Sequence, residues 1–199
     1  YETPFLSHAT MEPMNCTVKI SANRAEAWVP TQNAELAMAS MSETSKIPLA
    51  QCEVYRTDPG GGFGRRGPRD MDFLIDAVLL AKEAGKPVKA VWTREDDVHN
   101  GRFRPLSSHH LKAGFDGAGK IVAWHHRLVG DRVTPAFDPV RYERAGKKDF
   151  ILMLGADMKG YDVPHQLVEQ LYEDTGVRTA PLRGISFTAN KFATETFLD

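Results

Sequence analysis

A cysteine-rich disulfide framework, long apolar runs and an excess of charge of one sign are all missing from this chain of 199 residues. Its two cysteines, Cys16 and Cys52, have no CxxC spacing, which excludes a disulfide scaffold; two small buried residues are the favoured interpretation and a single bridge is the alternative. No apolar run approaches the length of a membrane span. The net charge is −1, from 25 basic and 26 acidic residues, so no basic face indicates nucleic acid or acidic lipid as a partner.

Hydrophobic residues make up 42% and charged residues 26% of the chain, a globular mixture that excludes a disordered class. The predicted elements, in chain order, are two strands within 17–29, a helix at 34–45 capped by Asn33, a strand at 51–57, a helix at 69–84 ended by Gly85, a strand at 88–93, a hairpin at 107–129, a strand at 166–172 and a helix at 188–198. This order indicates an α+β fold with mixed or antiparallel sheets, one strand–glycine loop–helix unit and a long β-hairpin. Residues 131–160 are expected to be irregular.

The hairpin carries a predicted register. Its turn is expected at residues 116–119, with Phe115 opposite Lys120. Leu111 then lies opposite Trp124 on one apolar face, the pattern of a half-exposed antiparallel pair.

The same register places His109 across from His126, and His110 across from His125. A cross-strand histidine pair can bind a metal, but a stable site needs further ligands and no third ligand is evident. Ordinary sheet histidines are therefore the favoured interpretation, and no metal ligand is assigned.

Residues 60–66, GGGFGRR, are the strongest local signal, because they separate a predicted strand from a predicted helix. Adjacent glycines permit positive φ and close backbone approach, and N–H groups at such a junction bind anions. Arg65 and Arg66 would add bidentate phosphate contacts. Anion or dinucleotide binding is the functional interpretation and a plain tight turn the structural one; neither a P-loop nor a GxGxxG motif is present. A charge contact near solvent contributes about 0–1 kcal/mol, so Arg65→Ala is expected to weaken ligand binding only mildly.

Residues 8–13, HATMEP, form a second unusual segment. Its carboxylate, Glu12, suits the role of a base, an orienting group or a cap, and from the residues alone a structural role is favoured. Nucleophilic catalysis has little support, because the chain has no GxSxG motif and neither cysteine has a neighbouring histidine.

Four motifs follow one another along the chain: HATMEPMNC at 8–16, WVPTQN at 28–33, GGGFGRR at 60–66 and RTAPLRG at 178–184. In this order they resemble the large molybdenum-binding subunit of the xanthine dehydrogenase and aldehyde oxidase family, in its isoquinoline 1-oxidoreductase-like or aldehyde dehydrogenase-like bacterial branch. The resemblance covers nearly the whole chain, with residues 131–160 matching poorly. It implies a molybdopterin-dependent oxidoreductase that oxidises aldehydes or hydroxylates N-heterocycles with water as the oxygen source.

The resemblance also implies site residues. It places the glycine–phenylalanine loop beside the molybdenum centre and the pterin, and an arginine–glycine pair near the cofactor. Together with Arg65, added for its charge, the expected cofactor-binding residues are Gly61, Gly62, Phe63, Gly64, Arg65, Arg183 and Gly184. Glu12 and Gln32 are expected near the site. Gly67 stands where the xanthine enzymes have a purine-binding glutamate, which disfavours a purine substrate.

The family's catalytic base is a glutamate in a late GxGE-type motif, and these 199 residues have no such motif. No catalytic residue is therefore assigned, and we expect the chain to be a fragment that alone is inactive and holds no cofactor. For the complete enzyme the resemblance implies molybdopterin in its cytosine dinucleotide form. It also implies the remainder of the large subunit, an iron–sulfur subunit and a small aldehyde or N-heterocycle as partners, with no nucleic acid and no membrane span.

Two alternatives stay open at this point. In the first, the chain is a non-catalytic folded module that binds partner chains. In the second, it is an independent nucleotide-binding domain. No basic-then-apolar leader is present, and the localisation is open between the bacterial periplasm and the cytoplasm.

Overall fold

The computed structural model describes residues 1–67 and 71–199, which form two compact units: His8–Gly101, and Tyr1–Ser7 together with Arg102–Asp199. The strands are β1 Glu2–Thr3, β2 Leu6–Ser7, β3 Asn15–Ser21, β4 Arg24–Val29, β5 Cys52–Arg56, β6 Val88–Val91, β7 Phe103–Arg104, β8 Ser107–Phe115, β9 Ile121–Asp131 and β10 His165–Glu173. The helices are α1 Ala34–Ser45, α2 Asp72–Ala84, α3 Arg94–Asn100, α4 Thr134–Phe137, α5 Pro139–Arg144 and α6 Ser186–Leu198, with a 3-10 turn at Leu49–Gln51.

The unit His8–Gly101 is built on a four-stranded sheet in the order β5-β4-β3-β6. β3 runs antiparallel to both β4 and β6, whereas β5 pairs with β4 in parallel. Alternate residues of these strands are buried, and they pack against α1 and α2. The centre of this core includes Val18, Ala27, Met41, Phe73 and Leu74. The predicted strands within 17–29 and at 51–57 are confirmed.

The ends of the helices follow the signals read from the sequence. Asn33 caps α1, because its side chain accepts a hydrogen bond of 3.1 Å from the Leu36 N–H. Gly85 ends α2 in the left-handed conformation, with φ +59°. The predicted start of that helix at Arg69 lies outside the described residues.

β6 ends earlier than predicted, and a further helix follows it. The Thr93 side chain accepts from the Asp96 N–H, and the Asp96 carboxylate accepts from the Thr93 N–H. This capping box turns the chain into α3, so residues 92 and 93 do not continue the strand.

Both cysteines are buried and free, which confirms the favoured interpretation and rules out the bridge. Cys16 lies in β3 and Cys52 in β5. Burial, with a smaller contribution from the Asp76 carboxylate, raises the pKa of the Cys16 thiol to about 12. This thiol therefore stays protonated and acts as a small apolar residue.

The second unit has a four-stranded sheet in the order β1-β8-β9-β10, and a separate pair of short strands, β2 and β7. β8 and β9 form the predicted antiparallel hairpin, and β10 runs parallel to β9. α6 packs on this sheet, with the rings of Trp124 and Phe197 edge to face at 5.5 Å. The α+β class with mixed sheets is confirmed. Within 1–67 and 71–199, no helix is long and apolar enough to cross a membrane.

The predicted register of the hairpin is wrong by two residues. Leu111 lies opposite His126, and Ala113 lies opposite Trp124. Because side chains alternate with a period of two, this shift leaves every residue on its expected face. Leu111 and Trp124 are therefore buried together in the core of the unit, although they are not directly paired.

The turn explains the shift. The Asp116 carboxylate accepts hydrogen bonds of 2.9 Å from the N–H groups of both Ala118 and Lys120. Lys120 is thereby drawn into the turn, so that Phe115 pairs with Ile121 instead of Lys120. A β-bulge between Gly114 and Phe115 adds the second residue of the shift.

The segment 131–160, expected to be irregular, contains the two short helices α4 and α5. The fully buried Asp149 stabilises the start of α4. Its carboxylate accepts hydrogen bonds from the N–H groups of Val133 and Thr134 and from the Thr134 hydroxyl. The partners of this carboxylate are 15 and 16 residues away in the chain, which local patterning does not reveal.

A buried chain of polar side chains links β8 and β9. His126 Nδ1 lies 3.1 Å from the Ala156 carbonyl, His126 Nε2 lies 3.0 Å from His109 Nδ1, and His109 Nε2 lies 2.8 Å from the Ser107 hydroxyl. The carbonyl only accepts, so His126 carries a proton on Nδ1. Burial lowers the pKa of both rings, so both are neutral, and His109 Nδ1 then donates to His126 Nε2. Burial, with the neighbouring His126, lowers the pKa of His109 to about 4. The cross-strand pair predicted from the sequence is thus a diagonal contact, since His109 lies opposite Leu128.

The buried hydrogen bonds of Ser107, His109 and His126 predict that the protein loses stability in acid. The unfolded state binds a proton at His109 below pH 6.5, whereas the folded state does so only near pH 4, so stability falls as the pH drops through that window. Between pH 7.5 and pH 5 we expect about 2 kcal/mol of unfolding free energy to be lost from this source. His109→Gln is expected to reduce this dependence in urea titrations at the two pH values, while the buried His126, whose pKa burial also lowers, keeps part of it. The exposed His110→Gln should retain the full dependence. An equal pH dependence in wild type and His109→Gln would contradict the assignment.

Candidate functional site

The glycine loop, residues 60–67, follows β5 and lies against the strap, residues 10–13. Gly61, Phe63 and Gly64 have positive φ values of +96°, +54° and +106°. Glycine adopts this conformation without cost, but an aromatic residue there stores about 1–3 kcal/mol of strain. The surroundings of the loop must therefore hold Phe63 in place.

Glu12 of the strap holds the start of the loop. Its Oε2 accepts hydrogen bonds of 2.8 Å from both the Gly60 N–H and Arg66 Nη2, and its Oε1 accepts from the Asn15 amide at 2.9 Å. Burial acts to raise the pKa of Glu12, but the Asn15 amide, the Gly60 N–H and the Arg66 charge outweigh it and hold the pKa below its usual value. Glu12 is thus an ionised, fully engaged carboxylate, which suits an orienting group better than a base.

Gln32 supports the loop from the other side. Its Oε1 accepts from the N–H groups of Gly64 at 3.1 Å and Arg66 at 3.2 Å. Gly62 packs directly on this amide, because a Cβ at Gly62 would lie 2.6 Å from Gln32 Oε1. Both residues expected near the site, Glu12 and Gln32, therefore contact the glycine loop.

The two arginines differ from the expectation that they offer free charge to an anion. Arg65 and Arg66 are buried, with 3% and 0% of their surface exposed. Arg65 binds Asp72 through Nη1 and Nη2, each at 3.0 Å, and its Nε lies 3.4 Å from the buried Asp97. Arg66 binds Glu12 at 2.8 Å. Both guanidinium groups are neutralised by carboxylates of the same unit, so they fasten the loop to its surroundings.

As far as the structure describes the chain, the glycine loop has three backbone N–H groups without an acceptor and one exposed aromatic ring. Within residues 1–67 and 71–199, nothing accepts a hydrogen bond from the N–H groups of Gly61, Gly62 and Phe63. Gly62 is buried, whereas the Phe63 side chain is 41% exposed. Three consecutive donors beside an exposed aromatic ring can bind a planar group that carries acceptors.

Arg183 and Gly184, the other expected cofactor residues, belong to the second unit, where they directly precede α6. Gly184 has φ +82° and the following Ile185 has φ +50°. They share no unit with the glycine loop, so their role stays a prediction. Among the described residues, no group of three or more His, Cys, Asp or Glu side chains is suited to a metal ion.

A family model described as "Molybdopterin cofactor-binding domain" matches residues 1–199. The chain belongs to this family. The sequence-based resemblance is thereby confirmed, and the match covers both units. The glycine loop fits a pterin, because the free N–H groups of Gly61, Gly62 and Phe63 can meet its acceptors and no side chain stands at two of these three positions.

Named relatives agree with the family. The chain is 29% identical over 200 residues to isoquinoline 1-oxidoreductase subunit beta from Brevundimonas diminuta, covering 100% of this chain and 25% of that protein. It is 32% identical over 126 residues to the aldehyde oxidoreductase molybdenum-binding subunit PaoC from Escherichia coli (strain K12), covering 63% of this chain and 17% of PaoC.

The fold agrees as well. The structure of quinoline 2-oxidoreductase from Pseudomonas putida 86 superposes with a TM-score of 0.79 at 22% identity, over 100% of this chain and 25% of that chain. At that identity the likeness establishes the fold alone. The molybdopterin cofactor-binding domain described here thus spans about a quarter of the length of these relatives.

Several residues of the site were not predicted. Asp72, Asp97, Asn15 and Trp92 surround the arginines and Glu12, with the Arg65 guanidinium 5.6 Å from the centre of the Trp92 ring. The sequence signal for Asp72 was weak, because the helix dipole already explains a carboxylate at a helix start. Nothing in the local pattern marked Asp97, Asn15 or Trp92.

Burial gives Arg65 a role in the stability of its unit, which the sequence did not predict. Removing one partner of a buried pair leaves a charge unpaired and costs about 3–5 kcal/mol. We expect Arg65→Ala to lower the unfolding free energy of the unit His8–Gly101 by about 3 kcal/mol in urea denaturation. Arg24→Ala, which breaks an exposed pair with Glu53, is the matched control and should change little. If the two variants lost the same stability, the anchoring role of Arg65 would be disproved.

Proposed function

We propose that the protein to which this chain contributes is a molybdenum hydroxylase that oxidises aldehydes or hydroxylates N-heterocycles, with water as the source of oxygen. The observation that carries this proposal is the glycine loop. Its N–H groups at Gly61, Gly62 and Phe63 are consecutive donors without an acceptor in the described part of the chain. They occur in a molybdopterin cofactor-binding domain whose relatives are named as oxidoreductase subunits.

When bound, the molybdopterin centre supplies the two-electron redox chemistry. The chain supplies binding and orientation. The N–H groups of the glycine loop would donate to the cofactor, and the exposed Phe63 ring would offer it an apolar contact. Glu12, Gln32 and Arg65 hold the loop in this conformation. Arg183 and Gly184 are proposed as further cofactor residues on the strength of their motif alone.

The finer points of the proposal concern the cofactor form and the partners. We propose the cytosine dinucleotide form of molybdopterin, an iron–sulfur subunit that removes the electrons, and the remainder of the large subunit. The relatives support the multi-subunit arrangement, since they are named as subunit beta or as a molybdenum-binding subunit. An iron–sulfur cluster needs four ligands, usually cysteines, and this chain has two buried ones in separate strands. Because residues 1–199 contain no GxGE-type motif, we propose that the catalytic base comes from elsewhere in the large subunit, and turnover is expected only from the complete enzyme.

Oxygen labelling and cofactor analysis test this proposal directly. The complete enzyme is expected to contain molybdenum and a pterin nucleotide in equal amounts. It should transfer ¹⁸O from labelled water into the product of an aldehyde or an N-heterocycle. Incorporation from labelled dioxygen, or a nucleotide bound without molybdenum, would contradict the proposal; the second result would favour a nucleotide-binding domain.

Gly62→Ala tests the loop with a single methyl group. Gly62 does not have a positive φ, but its new Cβ would lie 2.6 Å from Gln32 Oε1 and 2.8 Å from Gln32 Cδ. The amide must move, which releases the N–H groups of Gly64 and Arg66. We therefore expect the molybdopterin content of the complete enzyme to fall several-fold.

The matched control is Gly117→Ala in the hairpin turn, where nothing lies within 4 Å of the added Cβ. Its molybdopterin content should equal that of the wild type. Full occupancy in Gly62→Ala would show that the glycine loop is only a turn.

A further inference from the structure

Arg66 lies at the centre of the contacts around the glycine loop. Its side chain is fully buried, and the guanidinium donates to Gly61 O through Nε at 2.8 Å. Nη2 donates to Glu12 O at 2.7 Å and to Glu12 Oε2 at 2.8 Å, and lies 3.5 Å from Pro13 O; Nη1 lies 3.4 Å from Pro30 O. One side chain therefore connects the loop, the strap and the residue after β4.

The contact with Gly61 O determines the direction of a peptide group. In a trans peptide the carbonyl and the following N–H point in opposite directions. Since Gly61 O faces the Arg66 guanidinium, the Gly62 N–H points away from it. Arg66 thus directs this buried donor, which has no acceptor in residues 1–67 and 71–199.

The neighbouring peptide groups are fixed in the same way. Gly60 O accepts from the Glu12 N–H at 3.0 Å, which directs the Gly61 N–H. Gly62 O accepts from the Arg65 N–H at 2.8 Å, which directs the Phe63 N–H. Each of the three unpaired N–H groups therefore follows a carbonyl that accepts a hydrogen bond within the protein. Only the central carbonyl, Gly61 O, accepts it from a side chain.

We propose that Arg66 is a positioning residue of the cofactor site: it fixes the Gly61–Gly62 peptide so that the Gly62 N–H faces the molybdopterin. This rests on the proposed function, in which the glycine loop binds that cofactor. The role requires a guanidinium group. The nitrogens of the planar guanidinium group donate to acceptors in the loop, the strap and Pro30 at the same time. The ammonium group of lysine has only one nitrogen and cannot reach all three.

The test compares Arg66→Lys with the wild type in the complete enzyme. We expect the molybdopterin content to fall at least fivefold. In the fraction that retains cofactor, the electron paramagnetic resonance spectrum of Mo(V) is expected to shift, because the donor facing the cofactor has moved. A role in stability alone would lower the yield of folded protein and leave the spectrum unchanged.

The matched control is Arg24→Met, which removes an arginine paired with Glu53 in the same unit. It should retain wild-type cofactor content and spectrum. Arg66→Lys with wild-type content, or with reduced content and a wild-type spectrum, would overturn the positioning role.

A second variant decides the matter if Arg66→Lys does not fold. Arg66→Ala, produced with ethylguanidinium present, should recover cofactor content and spectrum, whereas ethylammonium should not restore them. Failure of ethylguanidinium to restore cofactor content would overturn the proposal.

A wild-type enzyme without molybdopterin would refute the proposed function, whereas a wild type that contains the cofactor, together with an unaffected variant, would refute this inference alone.

Discussion

A guanidinium group that is withdrawn from water needs an anion and a full set of acceptors. Arg66 finds the anion in Glu12 and the remaining acceptors in backbone carbonyls of three segments. Because the same carboxylate oxygen also accepts from the Gly60 N–H, the ion pair closes the strap onto the glycine loop. The orientation of the unpaired N–H groups of the loop depends on this closure.

The strain stored in the loop is consistent with this arrangement. Phe63 has φ +54° and an exposed ring, which neither backbone preference nor burial favours. The contacts of Arg65 with Asp72, and of Gln32 with two loop N–H groups, compensate for it. Unpaired donors and a strained aromatic residue in an otherwise well-bonded segment are typical of a binding site, and they agree with the family to which the chain belongs.

The sequence predicts local features well and long-range ones poorly. The strands within 17–29 and at 51–57, the cap at Asn33 and the stop at Gly85 follow from neighbouring residues, and they are confirmed. The hairpin register depends on how Asp116 closes its turn, which spacing alone does not reveal. The arginines were assigned to an anion because Glu12 and Asp97 are far away in the chain, although the fold brings them within 3.4 Å.

The most direct measurement is an experimental structure of the complete enzyme with its cofactor bound. We expect acceptor atoms of the molybdopterin to lie about 3 Å from the N–H groups of Gly61, Gly62 and Phe63. Arg66 should remain hydrogen-bonded to Gly61 O and Glu12, without contacting the cofactor. A cofactor bound by the Arg65 or Arg66 guanidinium, with the three N–H groups facing protein or solvent, would contradict the account.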